Sequence, residues 1–267
     1  MSAAGAALFV LGSGGFESVG RSPRNPAGYA VRLRGGTLLF DLGFGCLRQL
    51  CRCGLDPTDV ACAFFTHRHP DHVGDLPALL FQLRCARPPK SGRLRLFGPR
   101  GFGAFFARLK KAHHPWLGPR GYELSVSELD EGAVVRGAGF KVVCREVPHT
   151  TEALAYRLES REGRFCYSGD TGFDAGLAAF AGDADAFVLE CSQGGARGGA
   201  AEPGHLSVRQ ALWLGRRSTA RRVILSHLSR ASERELKRLR LRSGRERIAE
   251  DLMKIPLRTR ERRHIPS

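Results

Sequence analysis

Phe64-Phe65-Thr66-His67-Arg68-His69-Pro70-Asp71-His72 places three histidines and an aspartate within six residues, directly after the apolar run that begins at Val60. Extended residues at i and i+2 point the same way, so His67 and His69 can converge on one cation. The chain then turns into a helix-like stretch over 75–83, which puts Asp71 and His72 in reach of a second cation. Imidazole plus carboxylate suits zinc, and a catalytic site keeps one position open for water. A solvated polar cluster is the plain alternative. Two histidines would not exclude it; three histidines and an aspartate at a strand end argue strongly against it. Such a cluster cannot fill two metal shells alone, so further ligands are expected at later strand ends. Val147-Pro148-His149-Thr150, Tyr167-Ser168-Gly169-Asp170-Thr171 and Ile224-Leu225-Ser226-His227-Leu228 each end an apolar run. Any one of them reads equally well as a turn former. Three in series make coincidence a poor explanation.

Outward from this core, short apolar or β-branched runs recur between Gly, Pro and Asp. Strands are expected over 8–11, 29–33, 37–41, 60–66, 94–97, 141–147, 154–158, 165–168, 186–190 and 223–226. Residues 102–112 repeat apolar side chains at helical spacing. Ser207 with Gln210 is a capping box opening a helix to Leu214, and Ser232 with Glu235 reads as a second box, with Leu236, Leu239 and Leu241 along one face. Strands mixed with isolated helices predict a layered α/β structure. Residues 88–92 and 193–199 are loops by composition, the second a mobile one. Residues 112–121, with His113, His114 and Trp116, read as a surface turn after a helix or as a segment leaning over the site.

The 267 residues are 42% hydrophobic, enough for a substantial core. The expected division is one domain over 1–257 and a basic tail over 258–267. The longest apolar runs, such as 6–11 and 78–81, are too short to span a bilayer, so no membrane partner is expected. The apolar start has no Lys or Arg before it and reads as a strand and turn rather than a signal peptide. The eight cysteines contain no C-x-x-C pair, which argues against a structural zinc ribbon, and reduced thiols in the cytoplasm are expected. The formal charge is +16, and residues 221–267 hold fifteen Lys or Arg against six Asp or Glu. That excess suits a polyanion such as RNA; a coding bias towards arginine accounts for it equally well.

His-x-His-x-Asp-His, a lone His, Ser-Gly-Asp-Thr and a strand-end His, in that order, resemble the metallo-β-lactamase superfamily over nearly the whole chain. The resemblance implies a four-layer αββα sandwich with its site at one edge. It implies that His67, His69 and His149 hold one metal, that Asp71, His72 and His227 hold the other, and that Asp170 bridges them. Asp41, in Leu39-Phe40-Asp41-Leu42-Gly43, matches a strand-end aspartate that supports the ligands, or is a turn residue only. The two ions would be divalent, zinc by default, with manganese or iron also accepted by such ligands.

A carboxylate bridge at Asp170 suits phosphodiester hydrolysis by a hydroxide shared between the metals, although thioester hydrolases share it. Glu202-Pro203-Gly204-His205-Leu206-Ser207 sharpens the choice, because it resembles the Gly-His-x-Ser/Thr motif of ribonuclease Z, the tRNA 3′ processing endonucleases. That likeness implies that His205 protonates the leaving 3′ oxygen. The alternative for His205 is a residue beside a helix cap. Glu190 could orient it, and Asp71 could orient or deprotonate the attacking water. Ribonuclease Z carries a long exosite arm between the positions matching His149 and Asp170. Here they are twenty-one apart, too close for an arm, and Arg258, Arg260, Arg262 and Arg263 are the nearest substitute in sequence. The expected function is therefore a dinuclear phosphodiester hydrolase acting on RNA or tRNA 3′ ends. A cyclic-nucleotide or other small phosphodiester, or another ester or thioester, is the alternative substrate. A non-catalytic nucleic-acid binder is the alternative of another class. The likeness also implies a homodimer.

Overall fold

A computed structural model describes residues 5–15, 24–194 and 203–258. The calls on Glu202, on 195–199 and on 259–267, with Arg260, Arg262 and Arg263, lie outside the described residues. Two seven-stranded sheets face each other. The first holds β1 (Ala7–Gly12), β2 (Gly28–Leu33), β3 (Gly36–Leu42), β4 (Val60–Phe64), β5 (Arg93–Pro99), β6 (Glu123–Leu129) and β14 (Lys254–Pro256), in the order β14-β1-β2-β3-β4-β5-β6. The second holds β7 (Val134–Gly137), β8 (Phe140–Glu146), β9 (Leu154–Ser160), β10 (Gly163–Tyr167), β11 (Ala186–Glu190), β12 (Val223–Ser226) and β13 (Glu246–Ile248), in the order β13-β12-β11-β10-β9-β8-β7.

Strand alternation explains the layers. Leu8, Val10, Cys62, Phe64, Ala186, Val188 and Ile224 point between the sheets. Their neighbours Ala7, Phe9, Ala63 and Phe65 point outward, under helices α1 (Cys46–Arg52), α3 (Leu76–Cys85) and α4 (Phe102–Ala112). On the other side Phe187, Leu189, Val223 and Leu225 point under α5 (Gly176–Ala181) and α6 (Val208–Arg217). A strand buried on both faces reads as a continuous apolar run rather than an alternation, as at Ala7–Gly12. The result is the αββα sandwich of the metallo-β-lactamase fold. Aromatic rings fill its middle: Phe40, Phe64 and Phe97 stack at 5.2 and 4.9 Å across adjacent strands, and Phe165 from the opposite sheet meets Phe40 edge-on at 4.9 Å.

Strand direction places the site. β3, β4 and β5 run parallel, as do β10, β11, β12 and β13. β8 runs the same way as β10, since each is antiparallel to β9. The C-terminal ends of β3, β4, β8, β10, β11 and β12 therefore open on one edge, where α/β folds gather ligands. That edge is tied across the sandwich by Leu154 N–H donating to the Thr66 carbonyl at 3.0 Å, Tyr156 O–H to the Phe65 carbonyl at 2.7 Å and the Tyr29–Ser226 hydroxyl pair at 2.7 Å.

The box expected at Ser232 is displaced by one turn. Ser229 is the N-cap of α7 (Arg230–Arg238), and Ser232, its third residue, returns the bond to the Ser229 N–H. Starting earlier buries Leu236 and leaves Leu239 41% exposed rather than on the buried face. Residues 112–121 form a surface turn in which Trp116 packs against Phe81 and Arg84 of α3. Gln193 does not hang free: it bridges to Ser207 and accepts from Val208 N–H at 3.0 Å. All eight cysteines are free thiols.

Glu246 locks β13 to α6. Its buried carboxylate accepts from Arg216 Nε at 2.8 Å and Nη2 at 3.1 Å, and from Arg242 N–H at 2.9 Å. Burial alone would raise its pKa, but the Arg216 and Arg242 donors outweigh burial and hold it below the usual 4.5. Because the folded pKa is the lower one, the stabilisation is complete above the unfolded value and is lost as pH falls through the folded value. Glu246→Gln is expected to cost about 1–3 kcal/mol at pH 7 in urea unfolding, with the gap to the parent chain narrowing below about pH 5.

Candidate metal centre

The strand-end residues meet. His67 and His69 follow β4 in extended backbone, and His69 caps the single turn α2 (Pro70–Val73) that carries Asp71 and His72. Proline at the first helical position suits that tight entry. His149 follows β8, Asp170 follows β10, and His227 follows β12. Asp170 lies in the middle: its Oδ2 is 3.3 Å from His72 Nε2, 3.4 Å from His227 Nε2 and 3.9 Å from both His67 Nε2 and His149 Nε2. Asp71 Oδ2 sits 3.6 Å from His72 Nε2 and from His227 Nε2. Ligand atoms group as His67, His69 and His149 on one side and as Asp71, His72 and His227 on the other, each group within 4.8 Å.

The outer nitrogens of three rings fix which lone pairs face inward. Thr66 Oγ1 donates to Asp41 Oδ2 at 2.8 Å, so its remaining lone pair takes His67 Nδ1–H at 3.0 Å. His72 Nδ1–H donates to Asp41 Oδ2 at 2.7 Å, and His149 Nδ1–H to the Gly204 carbonyl at 2.8 Å. Each ring then turns its Nε2 to the centre, the orientation metal-ligating histidines use. Gly204 has φ 92°, a conformation that favours glycine, and a Cβ there would stand a tight 3.1 Å from His149 Nδ1.

Buried polar atoms are normally paired. Here His67 Nε2, His72 Nε2, Asp170 Oδ1 and both His227 nitrogens have no hydrogen-bond partner among the described residues. Burial and the neighbouring His72 charge hold His67 well below the ordinary imidazole range. Burial would raise Asp170, but the charges of His227 and His72 hold it well below the carboxylate range. Burial would lower His72 and His227, but Asp170 outweighs it and pushes both up. Concentrated lone pairs and carboxylate charge of this kind fit divalent cations, and the nitrogen and oxygen donor set fits zinc.

Asp41 is more than a turn residue. Its carboxylate, 1% exposed, accepts from Thr66 N–H, Thr66 Oγ1, His72 Nδ1 and Tyr167 O–H, all between 2.7 and 2.8 Å. Its backbone holds φ 55°, as does that of His227, a region that side chains other than glycine seldom adopt and that cross-linking interactions must enforce. Thr66, Tyr167 and the Gly204 carbonyl were not singled out from sequence. Tyr167 carried a signal: a tyrosine ending a fully buried strand needs a partner for its hydroxyl.

Glu190 and His205 form a second unit beside the first. Glu190 Oε1 accepts from His205 Nδ1 at 2.6 Å, and its Oε2 accepts from Ser192 N–H at 2.8 Å. The His205 ring stacks on His227 at 5.9 Å and meets His149 edge-on at 4.8 Å. Burial alone would lower His205, but the bond to buried Glu190 overrides it and pushes the imidazole up to about 9. His205 is thus held as a cation with Nε2 left to donate.

Residues 37–228, the span that carries every one of these side chains, match the beta-lactamase superfamily domain. The chain belongs to that superfamily and is a metal-dependent hydrolase. Ribonuclease Z of Methanothermobacter thermautotrophicus is 26% identical over 257 residues, covering 77% of this chain and 81% of its own. Other ribonuclease Z relatives align at 29–31% identity, and the chain spans about half of their length. Among solved structures, the metallo-beta-lactamase fold protein YhfI of Bacillus subtilis superposes with a TM-score of 0.75 at 18% identity over 94% of this chain and 99% of that one. The short form of human tRNase Z gives 0.73 at 22% over the same shares. No described helix is long and apolar enough to cross a membrane.

Proposed function

We propose that this hydrolase cleaves a phosphodiester bond in RNA, releasing a 3′ end of the tRNA-precursor kind. His67, His69 and His149 would hold one divalent ion and Asp71, His72 and His227 the other, with Asp170 reaching both; zinc is the first choice, manganese or iron the next. When bound, the ions supply an acidified water as nucleophile and positive charge against the phosphoryl oxygens. Asp71 orients that water towards phosphorus. As the P–O3′ bond breaks, its electron pair goes to the 3′ oxygen, and His205 Nε2–H gives the proton. Glu190 keeps His205 protonated and aimed. Cytoplasmic residence and a homodimer belong to the same reading.

The Glu190–His205 pair carries the choice of substrate class. A thiolate or an activated ester departs without a proton, whereas a ribose 3′ alkoxide is strongly basic and needs a general acid. The names of the curated relatives support the RNA reading. One observation favours a small phosphodiester instead: β9 and β10 join through Arg161-Glu162 alone, so no arm projects between His149 and Asp170. A purely non-catalytic binder is set aside, since the superfamily match covers the span that carries the candidate ligands.

Cleavage of a 3′-extended pre-tRNA, compared with bis(p-nitrophenyl) phosphate and with His69→Ala as control, tests this. A product ending just after the discriminator base, formed with the higher specificity constant, is expected. Turnover of the small diester alone would transfer the assignment to small phosphodiesters. Asp41→Asn, which leaves His72 Nδ1 and Thr66 poorly paired, is expected to weaken metal affinity by roughly 10- to 100-fold, measured by chelator competition.

A further inference from the structure

The face of α6 that points away from the core carries an unusual combination. Trp213 is 39% exposed and Phe173 45% exposed, and the two rings meet edge-on at 5.2 Å. Arg217 lies over the Trp213 ring at 4.4 Å. A groove of about 560 Å³ runs past Trp213 between Leu212 and Leu239, and its other walls are Arg209, Arg216, Arg217 and Arg240. Four arginines line it and no carboxylate does, among the described residues. A shallower depression of about 310 Å³ continues it to Phe173, Arg209 and Gln210.

This surface is joined to the site at both ends. Ser207, the N-cap of α6, lies two residues after His205. Phe173 follows Gly172, whose N–H donates to the Pro148 carbonyl at 2.6 Å and on which a Cβ would stand 3.3 Å from Gly204 N. His149 and His205 are the next residues along from Pro148 and Gly204, so Phe173 is tied through Gly172 to the backbone that carries both histidines.

Exposed aromatic rings interleaved with arginines match the chemistry of single-stranded nucleic acid. Bases stack on the rings in a sequence-tolerant way, and the guanidiniums take the phosphates. Arg216 is already paired with Glu246; a protein partner of ordinary composition would leave the other three, Arg209, Arg217 and Arg240, facing no acid, whereas a polyanion with flat bases satisfies both features. We propose that Phe173, Trp213 and the Arg209–Arg217 flank form a base-stacking platform for unpaired RNA next to the scissile bond. It rests on the phosphodiesterase reading above and supplies a grip that the absent arm does not.

The test is fluorescence anisotropy of the full chain with a labelled twelve-nucleotide oligoadenylate and an abasic oligomer of the same length and charge. Trp213→Ala and Phe173→Ala are expected to weaken oligoadenylate binding roughly tenfold each, with little effect on the abasic oligomer. Trp213→Phe keeps a ring and should restore binding, which separates stacking from a folding defect. Arg209→Ala and Arg217→Ala should each flatten the dependence of log affinity on log salt by about 0.7, the single-strand value for one phosphate contact. Equal losses on both oligomers would reduce the platform to general charge and overturn it. Unchanged oligoadenylate binding in Trp213→Ala would also overturn it, and leave the face to another occupant. If pre-tRNA is not cleaved while these losses are seen, the platform stands and the substrate assignment fails.

Discussion

Asp170→Ala should leave a folded protein that carries less than one equivalent of metal and has lost activity by roughly a thousandfold or more, about 4 kcal/mol of transition-state stabilisation. Among the described residues, Asp170 Oδ2 is the one carboxylate oxygen within 4 Å of four inward-facing imidazole nitrogens. Removing it takes away the negative charge that pushes His72 and His227 up and the donor that, on the proposed reading, both ligand groups would share. The fold should persist, because the aromatic stack of Phe40, Phe64 and Phe97 and the sheet pairing do not depend on it. Elemental analysis gives the metal content and circular dichroism the fold. Two equivalents of metal retained in Asp170→Ala would exclude the bridging position.

His205→Ala separates acid catalysis from metal binding. On RNA its kcat should fall by roughly 10²- to 10⁴-fold, with metal content unaltered. On bis(p-nitrophenyl) phosphate the loss should stay below about tenfold, because p-nitrophenolate leaves without a proton. Glu190→Gln removes the charge that pushes His205 up to about 9. The acid then loses its proton at lower pH, so the alkaline limb of the RNA kcat profile should move down towards the ordinary imidazole value near 6.5. Equal losses on both substrates would assign His205 to the ligand set rather than to the leaving oxygen.

Much of this was legible in the sequence because burial and chemistry coincide at strand ends. Several of the ten expected strands lie where runs such as Ala186–Glu190 and Val223–Ser226 are covered on both faces, whereas β8 shows itself by alternation, with Val142 and Cys144 buried between partly exposed neighbours. What escaped is partly exposed or short. β6 (Glu123–Leu129) and β7 (Val134–Gly137) are edge strands with charged or polar residues on the open face, so neither shows a continuous apolar run. β13 and β14 have three residues each, too few to carry a period. α1 starts from Gly45 at φ 82° with no side-chain cap, so none of the usual N-terminal signals marks it. At the site, ligand-type residues announce themselves by identity, Asp41 among them, whereas Thr66 and Tyr167 act through a hydrogen-bond network that exists only once β3, β4 and β10 are brought together. Spacing along the chain holds no record of that.

The most direct measurement is anomalous diffraction at the zinc edge from crystals grown with zinc. The account predicts two peaks about 3.5–4 Å apart, one beside His67, His69 and His149, the other beside Asp71, His72 and His227, with Asp170 between them. A single peak, or density held by any other set of side chains, would contradict it.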